Sequence, residues 1–318
     1  MFDKKVTIIG CGVSGLSSGI RLLEAGFEAV KILARELPPH TTSNRAAAVW
    51  YPYKAYPEDK VLAWGRATFQ AMTDLMAHPS SGITNTILIE PFAEITPDPW
   101  WKEAVTAFRR ATPKELPEGY SDGYVVEVPL IETPLYMDYL MSLFQRLGGI
   151  IEQREVQAID DLIESGRLII NCAGLGAQAL TGDDKLYPIR GQIVRVTAIA
   201  DKTTFVDEFS HRSLAYIVPR RDDTILGGTA QVDDWDLTVD TETAEEILRK
   251  CRELQPTLAG ADILEHAVGL RPGRDKIRLE LEVLAEDCAV IHNYGHGGAG
   301  FTLSWGCADE VTTLAARW

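Results

Sequence analysis

The chain reads VTIIGCGVSGLSSGIRLL over residues 6–23, an apolar run followed by a glycine-rich turn and a helical pattern. Residues 6–10, VTIIG, have the composition of a buried strand. The apolar residues after the turn recur three or four positions apart, as in a helix with one face against a core: Leu16, Ile20 and Leu23. A second strand pattern at 29–34 completes a β-α-β unit, which predicts a parallel sheet with helices on its faces.

The glycine-rich turn has the spacing GxGxxG between a predicted strand and a predicted helix. Gly10 allows a tight turn, Gly12 lets the backbone approach a pyrophosphate, and Gly15 lets the helix pack close to the strand. Val13 and Ser14 open the helix, whose N-terminus offers free N–H groups and partial positive charge to phosphates. The turn therefore predicts a dinucleotide site, with a purely structural turn as the alternative.

The end of the second predicted strand leaves the choice of dinucleotide open. Arg35 and Glu36 stand where the motif expects an acidic residue. Arg35 suits a 2′-phosphate and so NADP, whereas Glu36 suits the ribose hydroxyls of FAD or NAD. Both residues could also be solvated loop charges.

Composition and charge exclude several classes of protein. The 318 residues include 31 Lys and Arg against 46 Asp and Glu, a net charge of −15. Such an acidic excess repels nucleic acid and anionic lipid, so neither is an expected partner. Five cysteines without CxxC spacing and the absence of a leader-like or membrane-spanning run predict a cytoplasmic protein, and the histidines show no metal-binding spacing.

The remaining patterns predict two interleaved lobes. A helix at 59–76 is followed by a segment dense in Pro and Trp that is typical of loops, and later strand-like runs indicate an antiparallel sheet capped by helices. The α/β lobe is expected to comprise residues 1–53, 134–187 and 263–318. The second lobe, of α+β type, is expected to comprise residues 54–133 and 188–262.

The C-terminal segment carries the most specific pattern, VIHNYGHGGAGFTLSWGCA at 290–308. Four of its glycines fall within six residues, so the backbone is expected to lie against something flat or bulky. Here the sequence resembles the D-amino-acid oxidase family of flavoproteins. Further motifs of that family occur in order along nearly the whole chain: GCGVSG at 10–15, LARELP at 33–38, TTS at 41–43, AAAVWYP at 46–52, NCAG at 171–174, RGQ at 190–192, AYIVP at 215–219 and GLRP at 269–272.

The resemblance implies a Rossmann-like FAD-binding domain with a parallel sheet, interleaved with a substrate domain built on a mostly antiparallel sheet. It favours non-covalently bound FAD over the other dinucleotides. A helix N-terminus at the flavin would stabilise negative charge on the reduced ring. The implied cofactor contacts are Gly10, Gly12, Val13, Ser14, Gly15, Arg35, Glu36, Thr42, Ser43, Ala47, Ala48, Val49, Val156, Gly174, Gly297, Gly298, Ala299, Gly300, Phe301 and Thr302.

Three residues are implied at the substrate. Arg271 of GLRP would bind a carboxylate in bidentate fashion, since a planar guanidinium matches that group. Tyr216 would add a hydroxyl contact to the same carboxylate, and the Gly298 carbonyl would accept a hydrogen bond from the substrate amine. Bracing of a strand end by Arg271 and an ordinary core role for Tyr216 are the alternatives.

One position departs from the family pattern. Arg212 stands four residues before Tyr216, where the family often has a second tyrosine. Pointing inward, Arg212 could pair with an acidic side chain, as in the related D-aspartate oxidases; pointing outward, it would be a solvated loop charge. Tyr51 and Val49 are expected at the side wall of the pocket.

The resemblance implies oxidative deamination of D-amino acids. Hydride would pass from Cα to flavin N5, and the products would be a 2-oxo acid, ammonia and hydrogen peroxide. The expected partners are a small D-amino acid and dioxygen, with a homodimer left open. D-aspartate oxidase, glycine or sarcosine oxidase, a quinone-linked dehydrogenase and a non-catalytic dinucleotide-binding regulator are the alternatives.

Overall fold

The structure is a computed structural model that describes residues 2–53, 55–164, 166–208 and 214–318. Two sheets and six α-helices form this part of the chain. The strands are β1 (Phe2–Ile9), β2 (Phe27–Ala34), β3 (Ile83–Phe92), β4 (Phe108–Arg110), β5 (Asp122–Ile131), β6 (Ile150–Gln153), β7 (Arg167–Asn171), β8 (Tyr187–Thr197), β9 (Thr204–Asp207), β10 (Ala215–Pro219), β11 (Asp223–Gly227), β12 (Gln231–Val232), β13 (Ile263–Gly273), β14 (Arg278–Ala285) and β15 (Cys288–Tyr294). The helices are α1 (Val13–Glu24), α2 (Glu58–Leu75), α3 (Thr133–Arg146), α4 (Ala177–Thr181), α5 (Thr241–Leu254) and α6 (Gly300–Arg317).

The first sheet has six strands in the order β14-β15-β7-β1-β2-β6. Its strands are parallel except for the β14–β15 pair. The central strands are apolar on both faces because helices cover them, as expected for a parallel sheet. Helices α1 and α6 pack together, and the Ser17 hydroxyl donates to the Ser304 carbonyl across their contact at 3.1 Å. The predicted α/β lobe is confirmed.

The second sheet has nine strands, of which eight follow the order β12-β8-β11-β10-β9-β3-β5-β4 and β13 pairs with β8. Its pairs are antiparallel except for β3 with β9. The apolar face of α5 covers one side of this sheet, so Ile247 and Cys251 pack with Ile217 and Leu226 in one cluster. The predicted mostly antiparallel sheet is confirmed. In the described part of the chain, no helix has the length and apolarity needed to cross a bilayer.

Two long strands, β3 and β5, lie where the sequence predicts a loop-rich segment. Most of their residues are buried on both faces, so the alternation that marks a half-exposed strand is missing. Pro91 and Pro129 also argue against central strands when read from sequence alone. The prolines inside β3 and β5 therefore explain why the sequence did not predict the antiparallel β3–β5 ladder.

The boundary expected at residue 263 is wrong. Strand β13 was expected in the first lobe, but it pairs with β8 from Ile263 to Gly273 and so belongs to the second sheet. A strand pattern does not specify its pairing partner, which explains the error. Helix α2, expected in the second lobe, packs on α6: the Gly306 amide donates to the Thr68 hydroxyl at 3.0 Å. The rest of the two-lobe division stays a prediction.

Candidate active site

A cavity of about 1130 Å³ lies between the carboxyl ends of the first sheet and the second sheet. Ligands of open α/β sheets bind at this edge. Nearly all the predicted site residues within the described chain line the cavity. Gly15 and Ala299 do not line it, and Arg212 lies outside the described residues.

The GxGxxG turn lines the cavity and makes contacts that only glycine permits. Gly10 has a φ of +105°, and a Cβ there would lie 2.4 Å from the Cys172 carbonyl oxygen. A Cβ at Gly15 would lie 2.0 Å from the Gly10 carbonyl oxygen, so Gly15 serves the packing of α1. The Val13 amide donates to the Ser43 hydroxyl at 3.0 Å, which joins the start of α1 to the next wall of the cavity.

The second glycine turn, 295–300, leads into α6. The Gly297 amide donates to the Pro272 carbonyl at 2.8 Å, and the Ala299 amide donates to the His296 carbonyl at 3.0 Å. Gly297, Gly298 and Gly300 line the cavity, whereas Ala299 is buried beneath the turn. The N-terminus of α6 therefore lies at the cavity.

Thr302, on the first turn of α6, fixes the part of the cavity wall that contains Tyr51. Its hydroxyl donates to the Tyr51 carbonyl at 2.9 Å and accepts from the Tyr51 amide at 3.0 Å. Val49 forms a bridge with Leu130, which extends this wall along β5. The wall is thus fixed to both α6 and the second sheet.

Arg35 and Glu36 lie at the cavity with their side chains largely exposed. The Arg35 guanidinium is 3.7 Å from the Glu36 carboxylate and 3.6 Å from the Glu155 carboxylate. Such exposed pairs contribute little to stability. The two side chains remain available to a ligand at the end of β2.

Arg271 and Tyr216 meet inside the cavity. An Arg271 guanidinium nitrogen, Nη1, donates to the Thr229 carbonyl at 3.0 Å, and the Arg271 side chain lies close to Tyr216. Burial raises the pKa of Tyr216 above its usual value, while the neighbouring Arg271 acts in the opposite direction. Tyr216 therefore stays protonated and can donate to an anion bound by Arg271.

Glycines make room for both side chains. A Cβ at Gly191 would lie 2.3 Å from Nη1 of Arg271, and a Cβ at Gly227 would lie 2.0 Å from the Tyr216 ring. Tyr53, which sequence reasoning missed, packs against Gly298: a Cβ there would lie 2.4 Å from the Tyr53 ring. Tyr53 comes directly after the family motif at 46–52, and this proximity is the sequence feature that could have indicated a place in the site.

Two carboxyls that the sequence did not single out lie behind the side wall, those of buried Glu90 and half-buried Glu208. The Tyr51 hydroxyl lies 2.8 Å from an oxygen of Glu90 and 3.4 Å from an oxygen of Glu208. Burial, then the two carboxylates, raises the pKa of Tyr51 well above its usual value. Burial raises the pKa of Glu90 to about 8. Glu90 was missed because it lies on β3, inside the predicted loop-rich segment.

Comparison with known proteins settles the family. The family model described as FAD dependent oxidoreductase matches residues 5–314. The chain belongs to the FAD-dependent oxidoreductase family. It is 47% identical to a D-amino-acid oxidase of Rubrobacter xylanophilus over 98% of this chain and 95% of that protein. It is 44% identical to a D-amino-acid oxidase of Dictyostelium discoideum over 96% of this chain and 90% of that protein.

Two further similarities cover the same length. A human D-aspartate oxidase is 33% identical over 100% of this chain and 96% of that protein. The crystal structure of a glycine oxidase from Geobacillus kaustophilus superposes with a TM-score of 0.82 at 18% identity, covering 99% of this chain and 95% of that one. The latter similarity establishes the fold of this FAD-dependent oxidoreductase.

The cofactor of this oxidoreductase is FAD, and the cavity suits it. The cavity is lined by both the GxGxxG turn and the 295–300 turn, and the N-termini of α1 and α6 lie side by side there, since a Cβ at Gly300 would lie 3.9 Å from Cγ1 of Val13. Gly10, Gly12 and Val13 would hold the pyrophosphate, since helix N-termini bind phosphates. Gly297 to Phe301 would hold the flavin ring through backbone groups.

Proposed function

We propose that this FAD-dependent oxidoreductase oxidises D-amino acids. The overall reaction converts a D-amino acid, dioxygen and water into a 2-oxo acid, ammonia and hydrogen peroxide. The single observation that carries the proposal is the Arg271–Tyr216 pair, which presents a guanidinium and a phenol to the cavity beside the glycine turn of α6. The two relatives at 47% and 44% identity, both D-amino-acid oxidases, support the same activity.

Arg271 and Tyr216 bind the substrate carboxylate. A guanidinium fork and a carboxylate form two parallel hydrogen bonds, which fix both the position and the orientation of the substrate. The Thr229 carbonyl holds one edge of the guanidinium, so the rotamer of Arg271 is set before substrate arrives. Preorganisation of this kind lowers the barrier without any covalent contact.

The Gly298 carbonyl accepts a hydrogen bond from the neutral substrate amine. With the carboxylate on Arg271 and the amine on Gly298, the Cα hydrogen is directed toward the cofactor side of the cavity. FAD, when bound, supplies the acceptor for that hydrogen and its two electrons. Tyr53 packs on Gly298 and forms the neighbouring part of the cavity lining.

Two side chains near the reacting atoms are poor proton acceptors. Burial lowers the pKa of His296 to about 4, and its ring is hydrogen-bonded to the Asn293 side chain at 3.0 Å. Burial raises the pKa of Tyr53 to about 12. His296 therefore stays neutral and Tyr53 protonated at pH 7, in agreement with a reaction that depends on positioning more than on a side-chain base.

The test is anaerobic mixing of the purified protein with matched D- and L-amino acids while the flavin spectrum is recorded. Bleaching of the flavin absorbance by D-isomers alone is the expected result. A colourless protein, or bleaching by L-isomers alone, would refute the proposal. Greater activity on glycine or N-methylglycine than on any D-isomer would instead assign a glycine or sarcosine oxidase.

D-aspartate oxidation is the second candidate, because the human D-aspartate oxidase matches the whole chain at 33% identity. Arg212 is the residue that would favour it by pairing with the substrate side chain. Arg212→Ala should then lower kcat/KM for D-aspartate and D-glutamate while sparing D-alanine. An equal effect on all three substrates would remove Arg212 from substrate selection.

Further aspects of the function are also proposals. Dioxygen as the electron acceptor is tested by the yield of hydrogen peroxide per turnover, which should be close to one. A homodimer is tested by light scattering of the FAD-loaded protein. A cytoplasmic location is supported by the five unpaired, buried cysteines, which fit a reducing compartment.

A further inference from the structure

A polar group lies at the side wall of the cavity, some distance from Arg271. Tyr51 lines the cavity, and its hydroxyl lies between the carboxyls of Glu90 and Glu208 at 2.8 Å and 3.4 Å. We call Tyr51, Glu90 and Glu208 the side-chain subsite. The mechanism proposed above uses none of these three residues.

The second sheet places this subsite in line with the carboxylate site. Ile89 on β3 is paired with Phe205 on β9, so the next residues, Glu90 and Val206, project together from the opposite face. Val206 lies directly opposite Tyr216 on β10, and both line the cavity. Glu90 is thus two strands from Tyr216 on the same face, a Cα separation of roughly 10 Å at the usual strand spacing.

Tyr53 lies near both the Arg271 guanidinium and the Glu208 carboxylate of the side-chain subsite. Burial, and then the carboxylate of Glu208, raises the pKa of Tyr53, and the guanidinium of Arg271 lowers it, so Tyr53 lies within range of both charges. Tyr53 also packs on Gly298, where the substrate amine is expected. The position expected for the substrate amine therefore lies near the Arg271 guanidinium and also within range of the Glu208 carboxylate.

One of the two carboxyl oxygens of Glu90 has no hydrogen-bond partner among the described residues. Its side chain is 98% buried, since 2% of the residue is exposed, and its Oε2 atom has no hydrogen-bond partner among the described residues. Asp207 and Glu208 lie close enough to oppose its ionisation, in addition to the effect of burial. A buried carboxyl oxygen without a donor is costly, so a ligand that brings a donor or a positive charge would be stabilised there.

Aromatic side chains pack beside the subsite residues. Tyr124 pairs with Glu90 across β5 and β3, and Trp101 packs edge-on against both Tyr51 and Tyr124 at 5.8 Å and 6.3 Å between ring centroids. Aromatic faces favour cations in desolvated sites. The surroundings of the subsite are therefore acidic and aromatic, which is unfavourable for an anionic side chain.

The following inference depends on the proposed function. We propose that the side-chain subsite selects D-amino acids whose side chain ends in a cation, and that D-lysine has the side-chain length that fits. The substrate carboxylate would bind Arg271 and Tyr216, and the methylene chain would cross Val206. The ammonium would reach Tyr51 and the carboxyls behind it, where its positive charge would favour the ionised form of Glu90. Acidic D-amino acids are disfavoured by the same charges.

The test compares D-lysine with D-norleucine, which has the same carbon chain and no ammonium group. In the FAD-loaded protein, kcat/KM for D-lysine should exceed that for D-norleucine by about tenfold, the effect of one charge-assisted hydrogen bond. Glu90→Gln should lower this ratio at least fivefold. Glu127→Gln, an exposed carboxyl on the neighbouring strand β5, is the matched control and should leave the ratio unchanged.

Binding without turnover provides the second readout. The lysine analogue that lacks the α-amine, 6-aminohexanoate, should bind more tightly than hexanoate by isothermal titration calorimetry, and Glu90→Gln should abolish the difference. Circular dichroism establishes that the variant is folded. If Glu90→Gln does not fold, Tyr51→Phe tests the same subsite from the cavity side and should lower the same ratio.

The outcomes separate the two proposals. Turnover of neutral D-amino acids with no preference for D-lysine over D-norleucine, or an unchanged ratio in both subsite variants, overturns the subsite and leaves the D-amino-acid oxidase activity standing. A preference for D-aspartate over D-asparagine overturns the subsite as well. No flavin reduction by any D-amino acid refutes the proposed function itself.

Discussion

The guanidinium of Arg271 on β13 fills the space that a side chain at Gly191 on β8 would occupy. The two strands are paired, and a Cβ at Gly191 would lie 2.3 Å from Nη1 and 2.5 Å from Nη2 of the Arg271 guanidinium. The guanidinium therefore lies flat over the backbone of the neighbouring strand. A missing side chain on one strand sets the position of the proposed substrate anchor on the other.

Gly191→Ala should displace the guanidinium while preserving the fold. We expect kcat/KM for D-alanine to fall about 100-fold, because a shift of roughly 1 Å in a positioning group has that effect. Gly260→Ala is the control, since a Cβ there meets nothing within 4 Å. Steady-state kinetics on both variants provides the measurement, and equal activities would show that the Arg271 position is not limiting.

Arg271→Ala should raise KM steeply and also lower kcat, because the Cα hydrogen is no longer aligned. The combined loss in kcat/KM should be about 10²- to 10³-fold, as for a buried charge pair. Arg271→Lys keeps the charge without the planar fork, so its loss should be intermediate. An unchanged kcat/KM in the alanine variant would remove Arg271 from the site.

Gly12→Ala should weaken FAD binding and leave the protein folded. A Cβ at Gly12 meets only the Ser43 hydroxyl at 3.1 Å within the protein, yet it would project where the backbone is expected to approach the pyrophosphate. The flavin-to-protein absorbance ratio after dialysis should drop at least about tenfold. Retention of full flavin content would show that the pyrophosphate lies elsewhere.

Glu90 should make the FAD-free protein less stable at alkaline pH. The pKa of its carboxyl is raised from 4.5 to about 8 in the folded protein by burial and by Glu208 and Asp207, with the Tyr51 hydrogen bond opposing. The folded state thus keeps a proton that the unfolded chain loses above pH 4.5, so stability falls as the pH rises toward 8. Between pH 6 and pH 9 the loss should be about 3 kcal/mol, most of it below pH 8.

Urea unfolding at the two pH values measures this loss. Glu90→Gln cannot titrate, so its free energy of unfolding should vary less with pH over the same interval. A parallel decline in the wild type and the variant would show that other groups cause it.

The parts of the site that depend on local sequence were predictable. Gly15 acts within one strand, turn and helix, because a Cβ there would meet the Gly10 carbonyl, so the GxGxxG spacing specifies a contact that the structure shows. The 295–300 turn is equally local, since its glycines precede the helix that they help to begin. Such short-range constraints leave a pattern in the sequence that does not depend on the rest of the fold.

The side wall was not predictable, because it depends on pairing between distant strands. Glu90 reaches Tyr51 only once β3 is paired with β5 and β9, and prolines in β3 and β5 obscured both strands. Strand β13 shows the same difficulty: its own pattern was recognised, yet its partner β8 was not. A strand pattern predicts an extended conformation and leaves the choice of neighbour to the tertiary fold.

The hydrogen bond from the Gly297 amide to the Pro272 carbonyl, at 2.8 Å, ties the residue after Arg271 to the turn at the flavin side. Substrate anchor and cofactor turn are thus joined directly, whereas Glu90 lies on a different strand, β3. New substrate preferences could accordingly arise by substitution along β3 alone, with the reacting geometry inherited intact.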